Sequence, residues 1–398
     1  MLLSIALIVL LSLMLAKLCQ LIKLPSIIGM LFAGILLGPF VFNLIDGSIL
    51  DVSSELRQIA LIVILIRAGL SLKLEDIKKM GWPALFLAFV PATFEIIGVV
   101  VLASLLFGLT LIEAALLGSI LAAVSPAVVV PRMIKLMESG YGYKKRIPHL
   151  VLSGASLDDI YVIILFTSFL QSFMQHDVSL DLLLQIPTSI LLGIGLGIGA
   201  GYVSVKFFKI FHMRDTVKVL IMFSIGFLFI VLEQTIQSYI MVSGLLAVMT
   251  LGGMIHHQYP LLAKRLVSKF EKIWVIAEMM LFVLVGAAVD ITVIPSIGFK
   301  AILLILGALI FRIVGVWFSL LKTKLSFKEK LFISIAYIPK ATVQAAIGAI
   351  PLSLGIESGY LMLTIAVLAI LITAPLGALG IDLTYKHLLT QENEHLGV

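Results

Sequence analysis

The residues of this chain best suited to chemistry are two adjacent aspartates, Asp158 and Asp159, in the apolar segment Gly154-Ala-Ser-Leu-Asp-Asp-Ile. Ionisable side chains within a membrane-spanning segment are costly and mark a functional site by default. A carboxylate in this setting can hold a monovalent cation or a proton, so competition between the two ions would exchange one for the other. Neighbouring residues of a helix point about 100° apart, so we expect the two carboxylates to have different roles.

A base and further oxygen atoms are expected beside this pair. Lys340 also lies within an apolar segment, and we predict that it pairs with one of the aspartates. It would act either as a second proton carrier or as a structural clamp, since a buried lysine can lose its proton. Ser156 lies three residues before Asp159, on a neighbouring helix face, and can add an oxygen ligand.

Two other charges within apolar segments suggest roles at the membrane surface. Arg67 lies near the end of its segment, so its long side chain is expected to reach the interface. Glu278 is expected to line either an entry cavity or a solvated funnel wall.

Composition shows how these residues must be held. The chain has 398 residues, of which 61% are hydrophobic and 13% charged, with a mean hydropathy of +1.20. Soluble domains are about 45–50% apolar and about one quarter charged. Recurring apolar runs of about 20 residues therefore predict an all-α membrane protein with about 13 transmembrane helices. The first run, 1–16, lacks a basic start and is interpreted as a span rather than a signal peptide.

The distribution of basic residues predicts the orientation. Most Lys and Arg residues fall in the odd-numbered loops, which places those loops in the cytosol, the N-terminus outside and the C-terminus inside. This bias accounts for the net charge of +6, so no nucleic-acid partner is expected. The single cysteine, Cys19, excludes an intramolecular disulfide and a cysteine-based metal site. No cofactor is predicted.

A weak internal repeat relates the two halves of the chain. It aligns Glu95 with Arg312 and Ser125 with Thr342, and its halves begin on opposite sides of the membrane. An inverted repeat of this kind is typical of secondary transporters. An acid and a base related by the pseudo-two-fold axis can meet on it, so Glu95 and Arg312 are predicted to form a structural ion pair; direct proton handling by Glu95 is the alternative.

The repeat also predicts two interrupted helices. Ser125-Pro126 and Pro131 lie within one apolar segment, and Pro339-Lys340 lies within its counterpart. Proline removes a backbone donor and disrupts a helix, and paired broken helices near the bilayer midplane indicate a substrate site. Freed carbonyl groups and the hydroxyls of Ser125 and Thr342 are candidate cation ligands there.

Three motifs together resemble the NHA-type sodium/proton antiporters of the monovalent cation/proton antiporter superfamily. They are Ala122-Ala-Val-Ser-Pro-Ala-Val-Val-Val-Pro131, Gly154-Ala-Ser-Leu-Asp-Asp159 and Ala336-Tyr-Ile-Pro-Lys-Ala-Thr-Val-Gln-Ala-Ala346. The resemblance implies that Asp159 carries the cation and the proton, and that Asp158 pairs with Lys340. It also implies that Glu95 and Arg312 form the acid–base pair between core helices. The ions would be Na⁺ or Li⁺ and H⁺, with Asp159 and Asp158 as the metal ligands.

The same resemblance implies the architecture of a multi-pass protein of the cell (inner) membrane. A single transmembrane domain, 1–398, would contain an ion-binding core bundle, about 57–175 and 272–385. The scaffold and dimerisation bundle would comprise about 1–45 and 182–258. A homodimer embedded in membrane lipids is implied, with elevator-like alternating access.

Two alternatives differ in substrate or in class. A related antiporter would move potassium. An intramembrane aspartyl protease also uses two membrane aspartates, but on separate helices, one of them in Gly-x-Gly-Asp. Here the aspartates are adjacent and that motif is missing from the sequence. We therefore expect a transporter and not an enzyme.

Overall fold

The computed structural model describes residues 1–71, 82–174, 180–236, 240 and 242–391, with the side chains of 156 and 180–187 left out. Within these ranges every regular element is an α-helix, apart from one antiparallel bridge between Tyr141 and Gln391. The helices are α1 (Leu2–Leu21), α2 (Ser26–Leu37), α3 (Gly47–Asp51), α4 (Ser53–Ser71), α5 (Trp82–Phe107), α6 (Leu111–Leu121), α7 (Pro126–Glu138), α8 (Ile147–Met174), α9 (Leu180–Ile210), α10 (Asp215–Ile236), α11 (Gly244–Gln258), α12 (Pro260–Ala287), α13 (Ile294–Ser319), α14 (Phe327–Ala336), α15 (Thr342–Ile347), α16 (Ile350–Ser353) and α17 (Gly359–Leu388). The predicted all-α membrane fold is confirmed.

The described residues contain fewer long apolar spans than the number predicted. Eight spans in the described residues are long and apolar enough to cross a membrane, with α6 and α7 together forming one of them. Ser26–Leu37 and Thr342–Ser353 are apolar but shorter. The count of about 13 therefore stays a prediction.

The chain divides into two compact units. The first comprises Met1–Ser54, Asp76–Val162 and Leu281–Val398, and the second comprises Glu55–Glu75 and Ile163–Met280. These bounds differ from those predicted for the two bundles, because the N-terminal helices α1 and α2 group with the residues of the candidate site. The division into a core bundle and a scaffold bundle stays a prediction.

In the first unit, α5 and α13 pack closely in antiparallel orientation. Gly98 of α5 faces the ring of Phe311, and Gly315 of α13 faces the backbone of Pro91; a Cβ atom added at either glycine would lie within 2.7 Å of its neighbour. Only glycine permits so close an approach between helices. The approach brings the middle of α5 against the middle of α13, where the predicted ion pair lies.

The two predicted interruptions are present, and each broken helix begins in the same way. Thr110 and Glu113 form a capping box at the start of α6, and Ser326 and Glu329 form one at the start of α14. In both boxes the hydroxyl accepts from the backbone N–H three residues later, while the carboxylate accepts from the N-cap N–H. The matching start signals support the inverted repeat.

Each broken helix resumes differently after its interruption. The first helix stops at Leu121 and resumes with Pro126 in the first turn, where proline loses no hydrogen bond. Pro131 lies inside α7 and does not end it. The second helix stops at Ala336 and resumes at Thr342.

Candidate functional site

The two interruptions cross and contact each other directly. The backbone N–H of Ser125 donates to the carbonyl oxygen of Pro339 over 2.8 Å. The side-chain amide of Gln344 donates to the carbonyl oxygens of Leu121 (3.2 Å) and Ala123 (2.9 Å). Backbone groups freed by one break are thus satisfied by the other, as buried polar groups require.

Arg312 of α13 lies at the centre of this crossing and is 1% exposed. Its Nη1 donates to Glu95 Oε2 over 2.6 Å and its Nη2 to Asp158 Oδ2 over 2.8 Å. The guanidinium also donates to the carbonyl oxygens of Tyr337 and Ala122, the residues that follow the last turns of α14 and α6. Helix C-termini carry partial negative charge, so they stabilise a cation between them. The predicted partners Glu95 and Arg312, 217 residues apart, do meet.

Asp158 is fully buried, and its carboxylate is already engaged. Oδ2 accepts from Arg312 and from the backbone N–H of Val124 over 2.8 Å. Among the atoms that the structure describes, Oδ1 has no hydrogen-bond partner. Asp158 is therefore held at the first interruption through Oδ2, while Oδ1 makes no hydrogen bond within the described residues.

Lys340 pairs with a different acid from the one expected. Its Nζ lies 2.7 Å from Glu95 Oε1 and donates to the carbonyl oxygen of Leu121 over 2.5 Å. Its backbone N–H donates to Thr373 Oγ1 over 3.0 Å, which fixes the start of the ammonium-bearing side chain. The expected ion pair between Asp158 and Lys340 is wrong for this structure, because Arg312 occupies Asp158 and Glu95 offers its second oxygen to the lysine.

Asp159 has a different environment from its neighbour. It is partly exposed, and its Oδ1 is buried without a hydrogen-bond partner among the described residues. No ion pair of Asp159 occurs within that part of the chain. The expectation that the two carboxylates differ agrees with this arrangement: Arg312 holds Asp158, whereas Asp159 forms no ion pair among the described residues.

The candidate hydroxyl ligands lie at the starts of the second half-helices. Ser125 is the N-cap of α7 and Thr342 is the first residue of α15, and both side chains are buried. Neither hydroxyl oxygen has a partner in the described residues. Ser156 belongs to α8, but its side chain lies outside the described part of the structure.

Further polar residues of the site were not singled out from sequence. The hydroxyl of Tyr337 and Oε1 of Gln344 are also buried without a partner among the residues described. Both residues lie in the motif 336–346, whose pattern of an aromatic residue and an amide around Pro-Lys was the available signal. The freed carbonyls expected to bind a cation instead accept from Arg312, Lys340 and Gln344.

The second unit contains the other predicted charges. Arg67 lies 4.0 Å from Glu271, and both side chains are partly exposed. The position of Arg67 at the membrane interface stays a prediction. Glu278 lies in α12 and is partly buried. Sequence reasoning missed Glu233, whose carboxylate accepts from the N–H of Gly244 at the start of α11. Arg57, which sequence reasoning did not single out, is buried in α4.

Comparison with known proteins places the chain in a family. A family model described as "Sodium/hydrogen exchanger, transmembrane" matches residues 6–386. The mouse (Mus musculus) sodium/hydrogen exchanger 9B2 is 33% identical over 388 residues, covering 94% of this chain and 70% of the relative. The human (Homo sapiens) sodium/hydrogen exchanger 9B1 is 32% identical over 399 residues, covering 94% of this chain and 76% of the relative.

A solved structure has the same fold. The sodium proton antiporter MjNhaP1 from Methanocaldococcus jannaschii superimposes with a TM-score of 0.83 at 21% identity, covering 96% of this chain and 97% of that chain. At this identity the likeness concerns the fold alone.

Proposed function

The chain belongs to the sodium/hydrogen exchanger family, and from that premise we propose that it exchanges Na⁺ or Li⁺ for H⁺ across the cell membrane at Asp159. The observation that carries the proposal is the contrast between two adjacent carboxylates. Asp158 is bound by Arg312 and by the N–H of Val124, whereas Asp159 has a buried oxygen without a partner in the described residues. A carboxylate with a buried oxygen and no counter-charge favours binding of a cation or a proton.

The cation would be held by oxygen atoms from several elements. Asp159 supplies the charge, and Asp158 Oδ1 together with the hydroxyls of Ser125, Thr342 and Ser156 are the proposed further ligands. Alkali cations need several oxygen ligands to replace their hydration shells, as seen in transporter sites built at broken helices. Because proton and cation compete for one carboxylate, the loaded site crosses with one ion or the other.

The proposal includes elevator-like alternating access in a homodimer. Movement of the site as one body requires that the two halves of the repeat be tied together, and contacts within the first unit support this. Beyond the crossing itself, Lys145 contacts Glu329 at 2.8 Å. The orientation, with the N-terminus outside and the C-terminus in the cytosol, is part of the same proposal.

The test is exchange by the purified protein in liposomes with an imposed pH gradient and an internal pH dye. Addition of Na⁺ or Li⁺ should dissipate the gradient, and a separate potassium arm distinguishes a K⁺/H⁺ antiporter. Asp159→Asn should abolish exchange, because the amide can carry neither the cation's counter-charge nor the proton. Asp382→Asn removes a carboxylate from a surface ion pair and should exchange normally. A wild-type protein that leaves the gradient intact with all three cations would contradict the proposal, and normal exchange by Asp159→Asn would contradict the site.

A further inference from the structure

The four paired charges of the crossing form one connected chain. Lys340 contacts Glu95 Oε1, Glu95 Oε2 contacts Arg312, and Arg312 contacts Asp158 Oδ2, at 2.7, 2.6 and 2.8 Å. Each side chain is at most 2% exposed. Within the described residues, no other charged group forms an ion pair with any of the four.

The charges in this chain cancel. Glu95 and Asp158 contribute two negative charges, and Arg312 and Lys340 contribute two positive ones. Asp159, the next residue along α8, adds one negative charge when ionised and forms no ion pair within the described residues. In a medium of low dielectric constant, the net charge of such a cluster controls which ions it accepts, because Coulomb interactions are only weakly screened.

We infer that Glu95 is a positioning residue for Lys340 and sets the net charge of the exchange site at a single negative charge, carried by Asp159. This inference rests on the proposed function and deepens it. The family resemblance assigned Lys340 to Asp158 and gave Glu95 a structural role with Arg312. The geometry instead shares Arg312 between Glu95 and Asp158, and the second carboxylate oxygen of Glu95 holds the ammonium of Lys340, which also donates to the Leu121 carbonyl.

The consequence is that the net charge of the site selects the charge of the ion that it binds. A site with one net negative charge is neutralised by one monovalent cation or one proton, so the loaded site crosses without net charge. Without the carboxylate of Glu95, the ammonium of Lys340 would act as a resident cation, and the site would have no net charge left for a transported ion. Without Lys340, the site would carry two negative charges and bind a cation more tightly.

The test is the apparent KM for Na⁺ of three variants, measured in liposomes at alkaline pH, where protons compete least. Glu95→Gln should raise the KM at least about tenfold, which corresponds to about 1.4 kcal/mol. Lys340→Gln should lower the KM below that of the wild type. The double variant, Glu95→Gln with Lys340→Gln, restores the net charge and should return the KM to within about threefold of the wild type, or about 0.6 kcal/mol. Asp382→Asn, which removes a carboxylate elsewhere in the same unit, should leave it unchanged.

The outcomes separate this inference from the proposed function. A wild-type protein without exchange overturns the proposed function, and the inference falls with it. If the wild type exchanges normally but Glu95→Gln and the double variant have the same KM as each other, only the inference is overturned. A merely structural role of Glu95 would not be rescued by removing a second charge. If Glu95→Gln does not fold, the inference stands on the other two variants, and an increased KM in Lys340→Gln contradicts it.

Discussion

The helix crossing in the first unit and the α9–α11 contact in the second unit join helices in different ways. At the crossing, Arg312 and Lys340 bind carboxylates and the carbonyl ends of two broken helices, all buried. Between α9 and α11, Gly197 lies so close to α11 that an added Cβ would be 2.5 Å from the carbonyl oxygen of Ala247. One contact uses specific charge pairing, and the other uses small residues that let backbones approach.

The difference shows where this protein accepts an energetic cost for function. A buried ion pair is weak evidence for stability, because removing charges from water costs about as much as their attraction returns. Breaking one partner is nevertheless strongly destabilising, since the other charge stays buried. The α9–α11 contact contains no charge in its closest approach and should respond only to side-chain volume.

The largest effect is expected at the centre of the charged crossing. Arg312→Gln would leave Glu95 and Asp158 without their shared base and should lower the free energy of unfolding by about 3–5 kcal/mol. The measurement is unfolding in mixed micelles, followed by circular dichroism. A loss below about 1 kcal/mol, the value of an exposed pair, would show that the crossing is held by packing rather than by charge.

The next effect concerns the coupling of Glu95 and Lys340. Each single change to Gln leaves a buried charge with less compensation, whereas the double change removes both charges together. We expect the double variant to be more stable than the sum of the single effects by about 0.5–3 kcal/mol, the range for residues in one ion-pair network. The same unfolding assay provides the double-mutant cycle. Strictly additive effects would contradict the contact of 2.7 Å between Lys340 and Glu95.

The second unit offers a matched pair of glycines two residues apart. Gly197→Ala forces α9 and α11 apart and should destabilise the protein by about 1–3 kcal/mol, as overpacking does. Gly195 faces open space, so Gly195→Ala should instead stabilise it by about 0.5–1 kcal/mol through lower backbone entropy in the unfolded chain. Thermal unfolding in detergent should show shifts of opposite sign; shifts of the same sign would contradict the close contact.

The smallest effect is expected for an exposed ion pair of the second unit. Arg265 lies 3.1 Å from Asp215, but its side chain is 55% exposed. Arg265→Gln should change stability by less than about 1 kcal/mol, because solvent screens the pair. Any difference from the wild type should shrink further in high salt. A loss comparable to that of Arg312→Gln would remove the contrast between the two regions.

Much of this architecture could be predicted from local sequence signals. Apolar runs predicted the membrane helices, and the prolines at 126 and 339 predicted the two interruptions. Both signals are local, because hydropathy and the missing N–H of proline act on the backbone of the same few residues. The repeat also related Glu95 to Arg312. The burial of Arg57 and the hydrogen bond from the N–H of Gly244 to Glu233 could not be predicted, since both depend on how the helices pack.

The sequence by itself determined which charges lie within apolar segments and where the helices break, because hydropathy and proline act through a few neighbouring residues. Only the tertiary structure decided the pairing of those charges. Two acids and two bases allow more than one arrangement, and Asp158 with Lys340 was reasonable from sequence. The antiparallel approach of α5 and α13 places Arg312 between Glu95 and Asp158, and Lys340 then takes the remaining oxygen of Glu95. Pairing depends on distances of a few ångströms between helices, which no local pattern encodes.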